Sequence, residues 1–327
     1  MDRWSTPRGQ AVAGQRQASL QRTLLALQDP ALPPAGVDLN ALSDLNREQL
    51  GQFTQVWSEL GLERRRQLLA ALVEFAESHV DACFTPICRW LLDDADPLIR
   101  TQAIEGLWEE EDVRLISPLI RRLEQDLHPE VRAAAAASLG RYLLLGEYDQ
   151  IDASAAHRVE RALVAAHQME DEDVWVRRRT LEALANGSAS ELTQMIRAAY
   201  QEADEILRIG AVFAMGRSAD PQWNRSVLAE LNAEESAMLF EAVRASGELE
   251  IEEATPELIR LLGDEDIEIR DAAVWALGRI GGREAWRALK ACSSSADESL
   301  AEAAQDALAE LAFLAGDDAM PGLFFQA

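Results

Sequence analysis

The side chains that could do chemistry in this chain are binding groups rather than catalytic ones. Ile209, Phe213, Phe240, Arg244 and Trp275, with Arg178 before them, recur where a helix shows its outer face. Exposed aromatics beside an arginine are the ingredients of a peptide hot spot. Catalytic signals are poor by comparison. His79, His128, His157 and His167 form no H-E-x-x-H pattern, and there is no P-loop, G-x-G-x-x-G or G-x-S-x-G element. Carboxylates are too abundant for any pair to stand out as acid and base. Lys290 is the single lysine, so only one residue could form a Schiff base. Cys83, Cys88 and Cys292 give no disulfide framework; the first two lie five apart on an expected helix, too far round to bridge easily. All three read as reduced core residues of a cytosolic protein. The expectation is no catalytic residue, no metal and no cofactor.

The elements that must position the binding groups follow a 31-residue rhythm. Arg177, Arg208, Leu239, Arg270 and Ala301 are equivalent positions, and Arg100 and Arg132 open the same pattern upstream. One residue before them sit Val176, Leu207, Met238, Ile269 and Leu300. Three after are Ala103, Ala135, Thr180, Ala211, Ala242, Ala273 and Ala304; seven after are Leu107, Leu139, Leu184, Met215, Ser246, Leu277 and Leu308. These columns define one apolar helical face, its small members allowing close helix approach. Positions one and five after the reference avoid that face, and there Ile209, Phe213, Phe240 and Trp275 replace the usual polar residue. A period of this length marks a stacked array of helix pairs, in which no repeat buries its apolar face alone.

Each unit is a first helix, often opened by proline (Pro118, Pro221, Pro256), an acidic loop, and a second helix. Asp96/Arg100, Asp173/Arg177, Asp204/Arg208 and Asp266/Arg270 share an i,i+4 spacing: the acid caps the helix start, and the arginine reaches that acid or one in the neighbouring repeat. The triplets Arg64–Arg66 and Arg177–Arg179 are expected to be ion-paired internally. The step from Arg132 to Arg177 exceeds the period by close to four helical turns of about 3.6 residues each. The excess lies in 141–173 and predicts a longer helix pair around a loop at Gly146–Asp152.

Asp96-Pro97-Leu98-Ile99-Arg100, Val131-Arg132-Ala133-Ala134 and Ile269-Arg270-Asp271-Ala272-Ala273, running on to Ala276-Leu277-Gly278-Arg279-Ile280-Gly281, resemble HEAT repeats, closest to the short bacterial form found in phycobilisome-lyase-type proteins. The resemblance covers about residues 44–315. It implies an all-α solenoid, a superhelix of stacked antiparallel helix pairs, with positions one and five lining a concave groove; it implies no particular activity. Residues 1–43 are expected to be a mobile N-terminal arm with one short helix at Ala18–Leu27. Residues 44–315 form the solenoid, irregular to about 95, and 316–327 form a C-terminal tail.

Composition narrows the partners. The formal net charge of −26 repels phosphate backbones and anionic membranes, which disfavours nucleic acid and membrane and favours a protein or peptide, with basic ones most plausible. Apolar runs such as Leu68–Val73 are too short to span a bilayer, and no signal peptide is present, so the chain reads as cytoplasmic. The sequence reading is a non-enzymatic scaffold or adaptor that binds a protein or peptide through Ile209, Phe213, Phe240, Arg244, Trp275 and Arg178. The alternative is a chromophore (bilin) lyase-type chaperone, with Arg178 or Arg244 holding the propionates. A neighbouring helix or the tail at Leu323-Phe324-Phe325 is what would otherwise cover the aromatics.

Overall fold

A computed structural model describes residues 7–324 of the chain, with side chains over 14–313. The start of the arm and the side chains of the 316–327 tail, Leu323–Phe325 included, therefore lie outside the described residues. Among the described residues there is no β-strand. The chain forms two compact units, Met1–Tyr142 with Ile151–Ala162, and Leu143–Gln150 with Leu163–Ala327. None of the helices described is long and apolar enough to cross a membrane.

The first unit contains α1 (Pro7–Gln28), α2 (Arg47–Glu59), α3 (Leu62–Ser78), α4 (Thr85–Leu91), α5 (Pro97–Glu105) and α6 (Ile116–Gln125). It also holds the greater part of α7 (Pro129–Glu147) and of α8 (Ala153–His167). Those two long helices around residues 148–152 are what the excess before Arg177 predicts. The helix expected at 18–27 lies inside the longer α1, whose Leu20 and Leu27 are fully buried. Arg64 explains how α1 ends: its Nε donates to the Leu27 carbonyl at 2.6 Å and its guanidinium to the Asp29 carbonyl at 2.8 Å. Carbonyls left free at a helix C-terminus are thus satisfied by a cation that also suits the dipole. Asn46 and Gln49 form a capping box at the start of α2, at 3.0 and 3.1 Å.

The second unit is the regular part. Its second helices are α9 (Val174–Leu184), α11 (Glu205–Arg217), α13 (Ser236–Glu248), α15 (Ile267–Ile280) and α17 (Glu298–Phe324). Each packs on the next, forming one continuous layer. The first helices, α10 (Leu192–Tyr200), α12 (Asn224–Glu230), α14 (Thr255–Leu261) and α16 (Gly282–Cys292), cover one side of that layer. The columns before, three after and seven after the reference position supply the buried contacts: Leu207, Ala211 and Met215 on α11, and Met238, Ala242 and Ser246 on α13. This is the all-α solenoid of stacked antiparallel pairs that the 31-residue rhythm implies.

The acid–arginine pairs divide their labour. Asp173, Asp204 and Asp266 each accept a hydrogen bond from a backbone N–H two residues on, at 2.8 to 2.9 Å. Their arginines turn to the next repeat: Arg177 to Glu202 at 3.5 Å, Arg208 to Glu230 at 3.6 Å, Arg270 to Asp297 at 3.3 Å. In the first unit Arg100 does the same, pairing with Asp126 at 2.7 Å. The spacing left two acceptors open, and packing selects the neighbour. The capped Asp is already engaged with its own helix N-terminus, while the next repeat brings a second carboxylate within reach of the arginine.

Candidate functional site

The face of the second-helix layer turned away from the first helices is built on close backbone approach. A Cβ on Gly216 would sit 2.8 Å from the Cα of Ala245, and one on Gly247 2.8 Å from the Cα of Ala276. On Gly278 it would meet the Cβ of Ala307 at 3.1 Å. Glycine eight places after the reference thus lets α11, α13, α15 and α17 pack nearly backbone to backbone. Side chains at positions one, five and nine consequently crowd onto the exposed face.

The nominated residues occupy this face unequally. Arg178 lies across α11, its Cγ 2.8 Å from where a Gly210 Cβ would be, and its Nε donates to Glu182 at 2.6 Å. Its guanidinium stands 5.5 Å from the ring centroid of Trp175. Arg244 stands 5.6 Å from the ring centroid of Phe213 and donates to Glu248 at 3.1 Å. Phe213 and Phe240 are half-buried. Trp275 is 38 % exposed, its ring seated on Gly247. Ile209 is 5 % exposed, so this member of the nominated set is packed inward and presents little surface to a partner. The structure thus joins Arg244 to Phe213, sets Trp275 on the adjacent helix, and withdraws Ile209.

Three glutamates outside the nominated set also belong to this face. Glu182 and Glu241 are buried and Glu248 is half-buried. Burial pushes the Glu241 carboxyl up to about 7, and the carboxylates of Glu182 and Glu248 push the same way. Arg244, 3.7 Å away, and Arg178 oppose the shift without cancelling it. Glu248 is also raised by burial, against Arg244 and Arg217. The signal available in the sequence was Gly210: with no side chain on α11 there, groups from α9 and α13 reach across toward one another.

Elsewhere the groups are structural. His167 is buried, and its Nδ1 lies 2.9 Å from the Arg177 carbonyl and 3.1 Å from the Thr180 hydroxyl. Burial lowers its pKa, so it ties α8 to α9 as a neutral ring. A cavity of about 260 Å³ in the first unit is lined by Cys83, Cys88, Phe84 and Trp108. Cys83 precedes α4 rather than lying on it, which corrects the placement of both cysteines on one helix. Burial pushes the Cys88 thiol up to about 12, far from the thiolate a nucleophile needs. Among the described residues no cluster of three or more His, Cys, Asp or Glu side chains is arranged to hold a metal.

The sequence profile of HEAT repeats matches residues 84–153 and 224–309. Among solved structures, the complex of CpcE and CpcF of phycocyanin lyase from Nostoc sp. is similar at 18 % identity and a TM-score of 0.50. That match covers 72 % of this chain and 91 % of the other. Human deoxyhypusine hydroxylase is similar at 17 % identity and a TM-score of 0.35, over 93 % of this chain and 99 % of that one. YibA of E. coli is similar at 16 % identity and a TM-score of 0.46, over 83 % and 95 %. These likenesses concern the fold alone. No curated protein matches the chain in sequence.

Proposed function

We propose that this chain is a non-enzymatic, cytoplasmic scaffold of HEAT-like repeats that docks a protein or peptide on the side of the second-helix layer turned away from the first helices. The contact residues are Phe213, Phe240, Arg244 and Trp275, with Arg178 at the edge. The observation that carries this reading is Trp275. A tryptophan seated on glycine, held against the adjacent helix yet 38 % exposed, is a rigid anchor of the kind that dominates protein interfaces.

The arrangement gives less support to a chromophore-lyase reading. Arg178 and Arg244, the groups that would hold propionates, are already bound to Glu182 and Glu248. Freeing either would uncover a carboxylate on a crowded face, at a cost of about 1–3 kcal/mol. Affinity capture with the immobilised protein, followed by mass spectrometry, tests the scaffold reading. A partner retained by wild type should be lost by Trp275→Ala, with the variant still folded and its melting temperature lowered only by the lost packing of the ring on Gly247. Capture that ignores this substitution refutes the docking face, and visible absorbance after expression with a bilin source would favour the lyase class instead.

A further inference from the structure

The docking face repeats one device. In α9 the Arg178 guanidinium stands 5.5 Å from the Trp175 ring while Glu182 accepts from its Nε at 2.6 Å. Between α11 and α13 the Arg244 guanidinium stands 5.6 Å from the Phe213 ring, with Glu248 at 3.1 Å and Glu241 at 3.7 Å. Each station is an aromatic ring carrying a guanidinium whose N–H edge is turned to carboxylates. Stacking and charge-assisted hydrogen bonding act together there, a combination suited to the flat fork of arginine.

One repeat further on, ring and acids are present without the cation. Trp275 stands in the column of Phe213 and Arg244, held in place on Gly247. Asp271 lies one turn before it on α15, and Glu302 and Asp306 take the same two columns on α17. All three acids are exposed, and among the described residues none has a hydrogen bond or an ion pair. The nearby arginines are committed elsewhere, Arg270 to Asp297 and Arg279 to Glu250. The position that a home-grown arginine fills twice is here open to solvent.

We propose that Trp275, Asp271, Glu302 and Asp306 receive an arginine side chain from a basic partner peptide. This rests on the docking reading above and specifies its chemistry. Charge complementarity selects the occupant: three exposed carboxylates in the columns beside Trp275, on a chain of net charge −26, attract a cation and repel a phosphate backbone. The two internal stations select arginine over lysine, because a guanidinium covers the ring with its plane and still donates along its edge. The neighbouring arginines also keep the occupied part of the face near neutral, which directs a cationic side chain to the open end.

The test uses the full-length protein and two capped peptides, three arginines or three lysines spaced in an alanine host, titrated at about 0.15 M salt to screen long-range attraction. Wild type should bind the arginine peptide several-fold more tightly than the lysine peptide. Trp275→Ala, and the pair Asp271→Asn with Asp306→Asn, should each weaken the arginine peptide about fivefold to tenfold. Trp275→Phe should retain part of the binding, and Glu252→Gln with Glu253→Gln, an equal charge removed from the turn before α14, should change it less than twofold. Equal affinity for both peptides, or an equal loss in the Glu252/Glu253 pair, would overturn the arginine station in favour of a general polyanion effect. If Trp275→Ala abolishes capture of the natural partner while the arginine peptide shows no preference, the docking face stands and only its arginine chemistry falls. If partner capture ignores Trp275→Ala, both fall.

Discussion

Alanine at Gly247 and alanine at Gly51 should move stability in opposite directions, although both glycines lie inside helices. At the exposed position of Gly51 on α2 a Cβ meets nothing within 4 Å, so Gly51→Ala only reduces backbone freedom in the unfolded chain and should stabilise by about 0.5–1 kcal/mol. On α13 the same Cβ at Gly247 would stand 2.7 Å from Trp275 Cζ3, 2.8 Å from Ala276 Cα and 3.0 Å from Ala276 Cβ. Carbon atoms pack at about 3.5–4.0 Å, so the backbones of α13 and α15 must part. Such overpacking costs about 1–3 kcal/mol, and the gain in helix propensity returns up to about 1 kcal/mol. A net loss of about 1–2 kcal/mol is expected for Gly247→Ala. Gly278→Ala, whose nearest contact is the Ala307 Cβ at 3.1 Å, should fall between the two. Urea denaturation followed by circular dichroism reads the series, with midpoints compared within one transition because repeat arrays need not unfold as a single unit. A Gly247→Ala variant as stable as wild type would refute the claim that helix contact at this column forbids a methyl group.

Two further substitutions report on the buried charges. Burial pushes the folded Glu241 carboxyl up to about 7, against about 4.3 for a free glutamate. The folded state therefore holds more protons between those values, and stability falls as pH rises through that window. Glu241→Gln should remove this loss, gaining about 2 kcal/mol over wild type at about pH 8 relative to about pH 5; a difference independent of pH would show that the carboxyl is not held protonated. Arg100→Met leaves Asp126, itself 7 % exposed, with only Arg122 at 3.3 Å and the His128 N–H, and should cost about 2 kcal/mol in thermal or urea denaturation. Burial alone would raise the Asp126 pKa, but hydrogen bonds led by the one from Arg100 outweigh it and hold the carboxyl low. The pair's contribution is therefore present above the ordinary carboxylate pKa and lost as the solution is acidified, and Arg100→Met should flatten that acid limb.

The architecture is legible in the repeat alone. A column repeated every 31 residues needs no long-range information, because each helix pair shows the same apolar face and only a like neighbour can cover it. The start signals were equally local: Asn46 with Gln49, and the aspartates at the head of α9, α11 and α15, act on backbone N–H groups within three residues of themselves. Tertiary structure decided which partner each arginine takes and which of the nominated face residues reaches solvent. Ile209 and Phe240 share a column, yet one is packed and the other half-exposed, because exposure depends on what the adjacent helix places beside it. The same holds for Glu241, whose carboxyl is perturbed by side chains on α9 that lie two helices away in the stack. At positions one and five the repeat showed where side chains would leave the core. Only the spacing of neighbouring backbones, close enough at Gly247 for Trp275 to lie across it, determined which of them form a surface.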